Sequence, residues 1–213
     1  MHKHAIAAFT LLAIVTLSAC SKTKEPNAQD MVVGMNHYLE SQGDLCLAKS
    51  TWPIDVTQRE MDAGGRNALQ MPVLEKLGLV SSSIATIEVK DEDRSANIQV
   101  KRYDLTEAGK KYYLTKEMRS MASDGTTRVR QGDFCAAKLS LDSVVKWEPV
   151  KSSDGQQRAV VTYTYKVAAA PWTSDAEIQK VFPVVARIVK GAGTEQLQET
   201  LKMTDKGWVA NES

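Results

Sequence analysis

Few residues in this chain are of types that do chemistry, and the two best placed are cysteines. GDLCLAKS at Gly43–Ser50 returns later as GDFCAAK at Gly132–Lys138. Cys46 and Cys135 therefore stand at the centre of one motif, Gly-Asp-apolar-Cys-x-Ala-Lys, written twice. The first copy comes close to the phosphate-cradling pattern G-x-x-x-x-G-K-[ST]. Ala48 replaces the second glycine, whose missing Cβ lets backbone N–H groups wrap a phosphate, so that reading is rejected. Ser143-Val144-Val145-Lys146 has the S-x-x-K spacing of penicillin-recognising enzymes, without the S-D-N or K-T-G that would accompany it. Any Ser-His-Asp or Cys-His arrangement in the mature chain would have to use His37, which sits on a helical segment with nothing suggestive around it. No cluster has metal-ligand spacing, so no catalytic residue, metal or cofactor is expected. Carboxylates that converge only in space are the one route to hydrolysis left open.

The start of the chain places the protein. Met1-His2-Lys3-His4 is a basic head, and the apolar run AIAAFTLLAIVTL at 5–17 follows it. That run is shorter than the roughly 20 residues a bilayer span needs, and it has the length of a signal-peptide core. It closes on Leu17-Ser18-Ala19-Cys20, which resembles the lipobox of bacterial lipoproteins. The resemblance implies a leader over 1–19, acylation of Cys20 and anchorage in the cell envelope. Ser21, where aspartate would imply inner-membrane retention, implies the periplasmic face of the outer membrane. The polar stretch at 20–29, with Pro26, reads as a flexible tether.

Processing also sets the charge. The chain has 27 Lys+Arg and 26 Asp+Glu, and loss of Lys3 leaves the two signs balanced. A neutral exported chain lacks the clustered basic footprint that nucleic acid requires, so no nucleic-acid partner is expected. With Cys20 spent on lipid, Cys46 and Cys135 remain in an oxidising compartment where disulfides persist. A bridge between them is the expectation, and two separate buried thiols are the alternative.

Periodicity and punctuation outline the elements. Helices are expected over 30–41 with Asp30 as cap, over 57–63 stopped by Gly64-Gly65, and over 67–77 closed by Gly78. Pro72 suggests a kink or a later start in the third. Strands at 84–90 and 97–104 flank a polar tip, and Thr106 caps a short helix after them. From residue 128 the chain turns to β-branched alternation: strands at 135–147 and 159–167, a helix entered at Ser174 with Glu177 in a capping box, then a terminal hairpin at 197–209.

LEKLGLV, a hairpin and YDLTEAGKKYY, in that order, resemble winged-helix domains, in which the recognition helix runs into the wing. That family's DNA-binding role does not carry over. Lys76 is the one basic residue in 67–77, and the wing tip is Asp91-Glu92-Asp93, which would repel phosphate. The resemblance implies a protein-contact or structural module instead. The expected fold is α+β: a winged-helix-like half over 30–115, built from helices plus a β-hairpin, and an antiparallel ββαββ half over 126–213.

The expected function is binding, with a protein partner in the envelope and an adaptor, assembly or inhibitor role. A carrier of lipid or another small apolar ligand is the alternative, and a carboxylate-based envelope hydrolase the third reading. Trp52 and Trp172, beside prolines in loop-like segments, are the candidate partner contacts, whereas Trp147 and Trp208 fall in strands and read as packing residues.

Overall fold

The computed structural model describes residues 26–91, 94–121, 125–152 and 154–210. Helix α1 (Ala28–Gln42) opens the fold, and Asn27 rather than Asp30 caps it: Asn27 stays extended, and its side chain accepts from the Asp30 amide at 3.0 Å. Met31, Met35 and Leu39 recur at helical spacing and are buried. Gly34 shares their face. A Cβ there would meet the Trp208 carbonyl oxygen at 2.7 Å and Leu201 at 2.8 Å, so only glycine lets the helix lie this close to the sheet beneath.

Strand β1 (Asp44–Cys46) leads to β2 (Ile54–Thr57), and Thr57 opens α2 (Gln58–Asp62) through a capping box with Glu60. Helix α3 (Arg66–Lys76) runs through Pro72 without stopping, and Gly78 (φ 70°) takes the left-handed turn that ends it. Strands β3 (Val80–Asp91) and β4 (Arg94–Leu105) pair in register along their whole length, extending past the expected hairpin at both ends. Thr106 caps α4 (Glu107–Lys110), which precedes β5 (Tyr113–Leu114) and a small hairpin of β6 (Met118–Met121) and β7 (Thr127–Arg130).

The long β8 (Asp133–Val150) and β9 (Arg158–Ala169) follow, then a 3-10 turn at Pro171–Ser174, α5 (Ala176–Val181), α6 (Pro183–Lys190), β10 (Leu197–Thr204) and β11 (Gly207–Ala210). Asp175, not Ser174, caps α5. The Ser174 hydroxyl is spent on the Pro171 carbonyl inside the turn, while Asp175 accepts from the Glu177 and Ile178 amides. Pro183, expected to kink or split the helix running to about Lys190, splits it by starting α6, where its missing N–H costs nothing.

The fold is mixed α and β, and its strands pair antiparallel. One sheet runs β1-β8-β9-β10-β11 with β5 on the start of β8; a second runs β2-β4-β3. Two cores result. The second sheet, α3, the 3-10 turn, α5 and the start of β8 enclose Val56, Met71, Leu74, Tyr103, Phe134, Trp172 and Phe182. Helix α1 against the larger sheet encloses Met31, Met35, Tyr165, Leu201 and Trp208. Residues from both sides of the expected 115–126 divide build the first core, and α6 joins the two, giving Val185 to one and Ile188 to the other.

Candidate functional site

The repeated heptapeptide becomes a pair of neighbouring strands. β1 runs antiparallel to the start of β8, with Asp44 opposite Lys138, Leu45 opposite Ala137 and Cys46 opposite Cys135. Two copies of one motif laid head to tail make reciprocal contacts, the acid of each reaching the lysine of the other. The Asp44 carboxylate lies 3.3 Å from the Lys138 ammonium and also pairs with Lys116. Asp133 Oδ1 accepts from the Lys49 amide at 2.6 Å and from the Phe134 amide at 2.8 Å. The Cys46 and Cys135 sulfurs between them are at bonding distance.

Beside this bridge a cleft of about 440 Å³ opens between β1, α3 and the α5–α6 junction. Its walls are mostly apolar, with Leu47, Phe182 and Val185 buried and Pro183 and Val184 exposed at the mouth. Two hydrogen bonds fix its width. Gln70 Nε2 donates to the Val181 carbonyl at 2.9 Å, and the Lys76 ammonium reaches Glu177 at 2.8 Å, so α3 is held to α5 at both ends of the contact. Ala48 enters the left-handed region (φ 58°) and turns the chain after the bridge towards α3.

The polar end of the cleft is positive. Arg66, at the start of α3, lines it and makes no ion pair among the described residues. Just behind it Lys49 is 3% exposed, and its ammonium donates to Asn67 Oδ1 at 2.8 Å. Burial, helped by the neighbouring Arg66 guanidinium and opposed by Asp133, pushes the Lys49 pKa down to about 8. An apolar trough with an unneutralised cation at one end suits an apolar residue or chain carrying a nearby negative charge.

No family model, curated protein or solved structure matches this chain.

The structure disposes the expected residues unevenly. Cys46 and Cys135 come together, and Cys46 lines the cleft. Cys20 lies outside the described residues. Trp172 does not face outward as expected: it is 8% exposed and packs in the first core, its ring centroid 5.8 Å from Phe134 and 5.9 Å from Tyr112. The 3-10 turn, not a loop, carries it inward. Trp52 is half-buried, its ring centroid 6.2 Å from that of Phe134.

His37 is exposed on α1 and borders a separate shallow cavity of about 370 Å³ with Lys202, Asp205 and Lys206. No group of metal-ligating side chains forms among the described residues, and none of their helices is long and apolar enough to cross a membrane. Ser143 bonds Thr164 while Lys146 reaches Glu148, so that pair does not converge. Arg66, Gln70 and Lys49 escaped the sequence reading. The one signal available was the lysine that closes each copy of the repeat.

Proposed function

We propose that this chain is a lipoprotein of the bacterial cell envelope, anchored through Cys20 at the periplasmic face of the outer membrane, that acts by binding a protein partner in the cleft beside the Cys46–Cys135 bridge. In this reading 30–115 is a winged-helix-like module turned from nucleic acid to protein contact, and 126–213 an antiparallel ββαββ unit that supports it. The observation that carries the reading is the character of the cleft rim. Val184 on α6 lines the cleft and is 60% exposed, and Leu69 on α3, in the turn between the cleft-lining Arg66 and Gln70, is 56% exposed. Large apolar side chains at the lip of an apolar trough are what a partner's anchor residue would cover, and Arg66 would fix its orientation.

The test is site-specific photocrosslinking of the full-length lipidated protein in its own envelope, with the photoreactive residue at position 69 or 184 and a control at exposed Val145. The expected result is one protein adduct from both cleft positions, absent from the control and lost on Arg66→Glu. Absence of an adduct from either cleft position rejects the reading. Extra small-molecule mass on the purified protein would instead favour the carrier.

A further inference from the structure

Independently of the cleft, we propose that β3 is a self-association edge, along which a second copy of this chain pairs antiparallel to join two β2-β4-β3 sheets into one.

The sheet edges of this fold are guarded unequally. An unpaired strand edge is a template for another chain, and proteins blunt it by shortness, bulges, proline or charge. β2 and β11 end their sheets with four residues each. β8 is unpaired on one side beyond Lys138, but two breaks in register, at Leu141/Ser143 and Val144/Lys146, interrupt it, and Pro149 follows. β3 is neither short, bulged nor interrupted by proline, and the charges it carries, Glu88 and Lys90 among them, sit near its end. Its twelve residues keep unbroken register with β4 and have no strand on their other side among the described residues.

The side chains favour a protein strand over a lipid surface. Ala85, Ile87 and Val89 form one row, directly opposite Val100, Ile98 and Ala96 of β4, so one face of the ribbon is apolar. Thr86, Glu88 and Lys90, opposite Gln99, Asn97 and Ser95, make the other face polar. Ile84 breaks that polar face at 70% exposure.

A second copy fits this edge because the pattern is self-complementary. Antiparallel pairing about Ile87 sets Ile87 against its own counterpart, Ala85 against Val89, Thr86 against Glu88 and Ile84 against Lys90. No like charges meet across these pairs, the apolar rows become continuous, and the aliphatic stem of Lys90 covers the exposed Ile84. A two-fold of this kind closes on itself, leaving outside the short β2 edges and the stretch of β4 over 94–99 that β2 does not reach.

The register gives the test. Ile84→Lys, at a position open enough to tolerate it, sets two ammonium groups against each other twice in the dimer, and Ile84→Lys/Lys90→Glu turns both contacts into opposite-charge pairs. The full lipidated chain, in detergent at micromolar concentration, is followed by native mass spectrometry over a dilution series. The expected result is a dimer whose dissociation constant rises about tenfold in I84K and returns in I84K/K90E. A chain monomeric throughout, a dimer indifferent to I84K, a double variant that fails to restore it, or a different polypeptide held on β3 each overturns the proposal.

Discussion

The amide of Lys49 and the carboxylate of Asp133 meet at 2.6 Å although 84 residues separate them. Both residues are almost wholly out of water, at 3% and 0% exposure. Their contact mirrors that of Asp44 with Lys138 across the same strand pair. Together the two contacts give the acid of each copy a partner in the other, the ammonium of Lys138 for Asp44 and the backbone amide of Lys49 for Asp133. Antiparallel neighbours with the same sequence present each acid to the other's lysine, and the two cysteines fall at the centre of the exchange. No duplication of a whole unit is required.

Asp133 holds two buried backbone N–H groups with one oxygen, so its removal leaves donors that water does not reach. Asp133→Ala should lower stability by about 3 kcal/mol, and Asp133→Asn, which keeps an acceptor, by about half of that. Urea unfolding of the oxidised protein decides it: the midpoint should fall with an unchanged slope. Equal losses for the two variants would mean that the charge, not the acceptor, matters.

The bridge between Cys46 and Cys135 closes a separation of 89 residues and ties β1 to β8. Cys46→Ala/Cys135→Ala should therefore cost about 3 kcal/mol, chiefly by freeing the unfolded chain. Reduction of the native protein should produce the same shift in urea midpoint. If the oxidised protein gives up two free thiols to a thiol reagent under native conditions, the bridge is not formed.

Trp172, Tyr112 and Trp52 pack around Phe134 in the first core, and Trp172 is the member that links the 3-10 turn to β8. Trp172→Ala should cost about 3–5 kcal/mol and flatten the near-ultraviolet dichroism, as loss of a core aromatic does. Trp52→Ala, at a half-buried site, should cost less. A Trp172 variant of native stability would return this residue to the surface role its sequence neighbourhood suggested.

What the sequence made legible was local. Gly78 as a left-handed stop and Thr106 as a cap follow from backbone chemistry within a few residues, and both hold. The β3–β4 hairpin and the long strands β8 and β9 declared themselves by alternation. The misses are non-local. β1, β2 and β5 are two to four residues long and exist only because a distant strand pairs with them. Trp172 looked exposed because Pro171 suggested a loop, whereas the 3-10 turn carries it into the first core. Lys49 carries no mark of burial at all: a lysine reads as surface until the fold closes over it.

That burial makes Lys49 a reporter of the fold's own pH dependence. Its folded-state pKa of about 8 lies below the ordinary value of 10.5, so between these limits the unfolded chain holds a proton that the folded chain has released. Stability must then rise with pH across that window, after carrying the full penalty below pH 8. The penalty is about 3 kcal/mol. Tyr163, pushed up to about 12 by burial and then by Glu199, acts in the opposite sense. The folded state keeps its phenolic proton where the unfolded state has lost it, so stability falls above pH 10. Tyr38, raised further by burial and by Glu199, adds to that fall. The contributions of these groups alone favour the folded state most near pH 10. Lys49→Met, which keeps the stem and removes the ammonium, should be more stable than the parent at pH 7 and flat between pH 8 and pH 10. Urea midpoints measured from pH 7 to pH 11 on both proteins test this directly. A rise that survives in the variant would mean that another group carries it and that the Lys49 ammonium is solvated in solution.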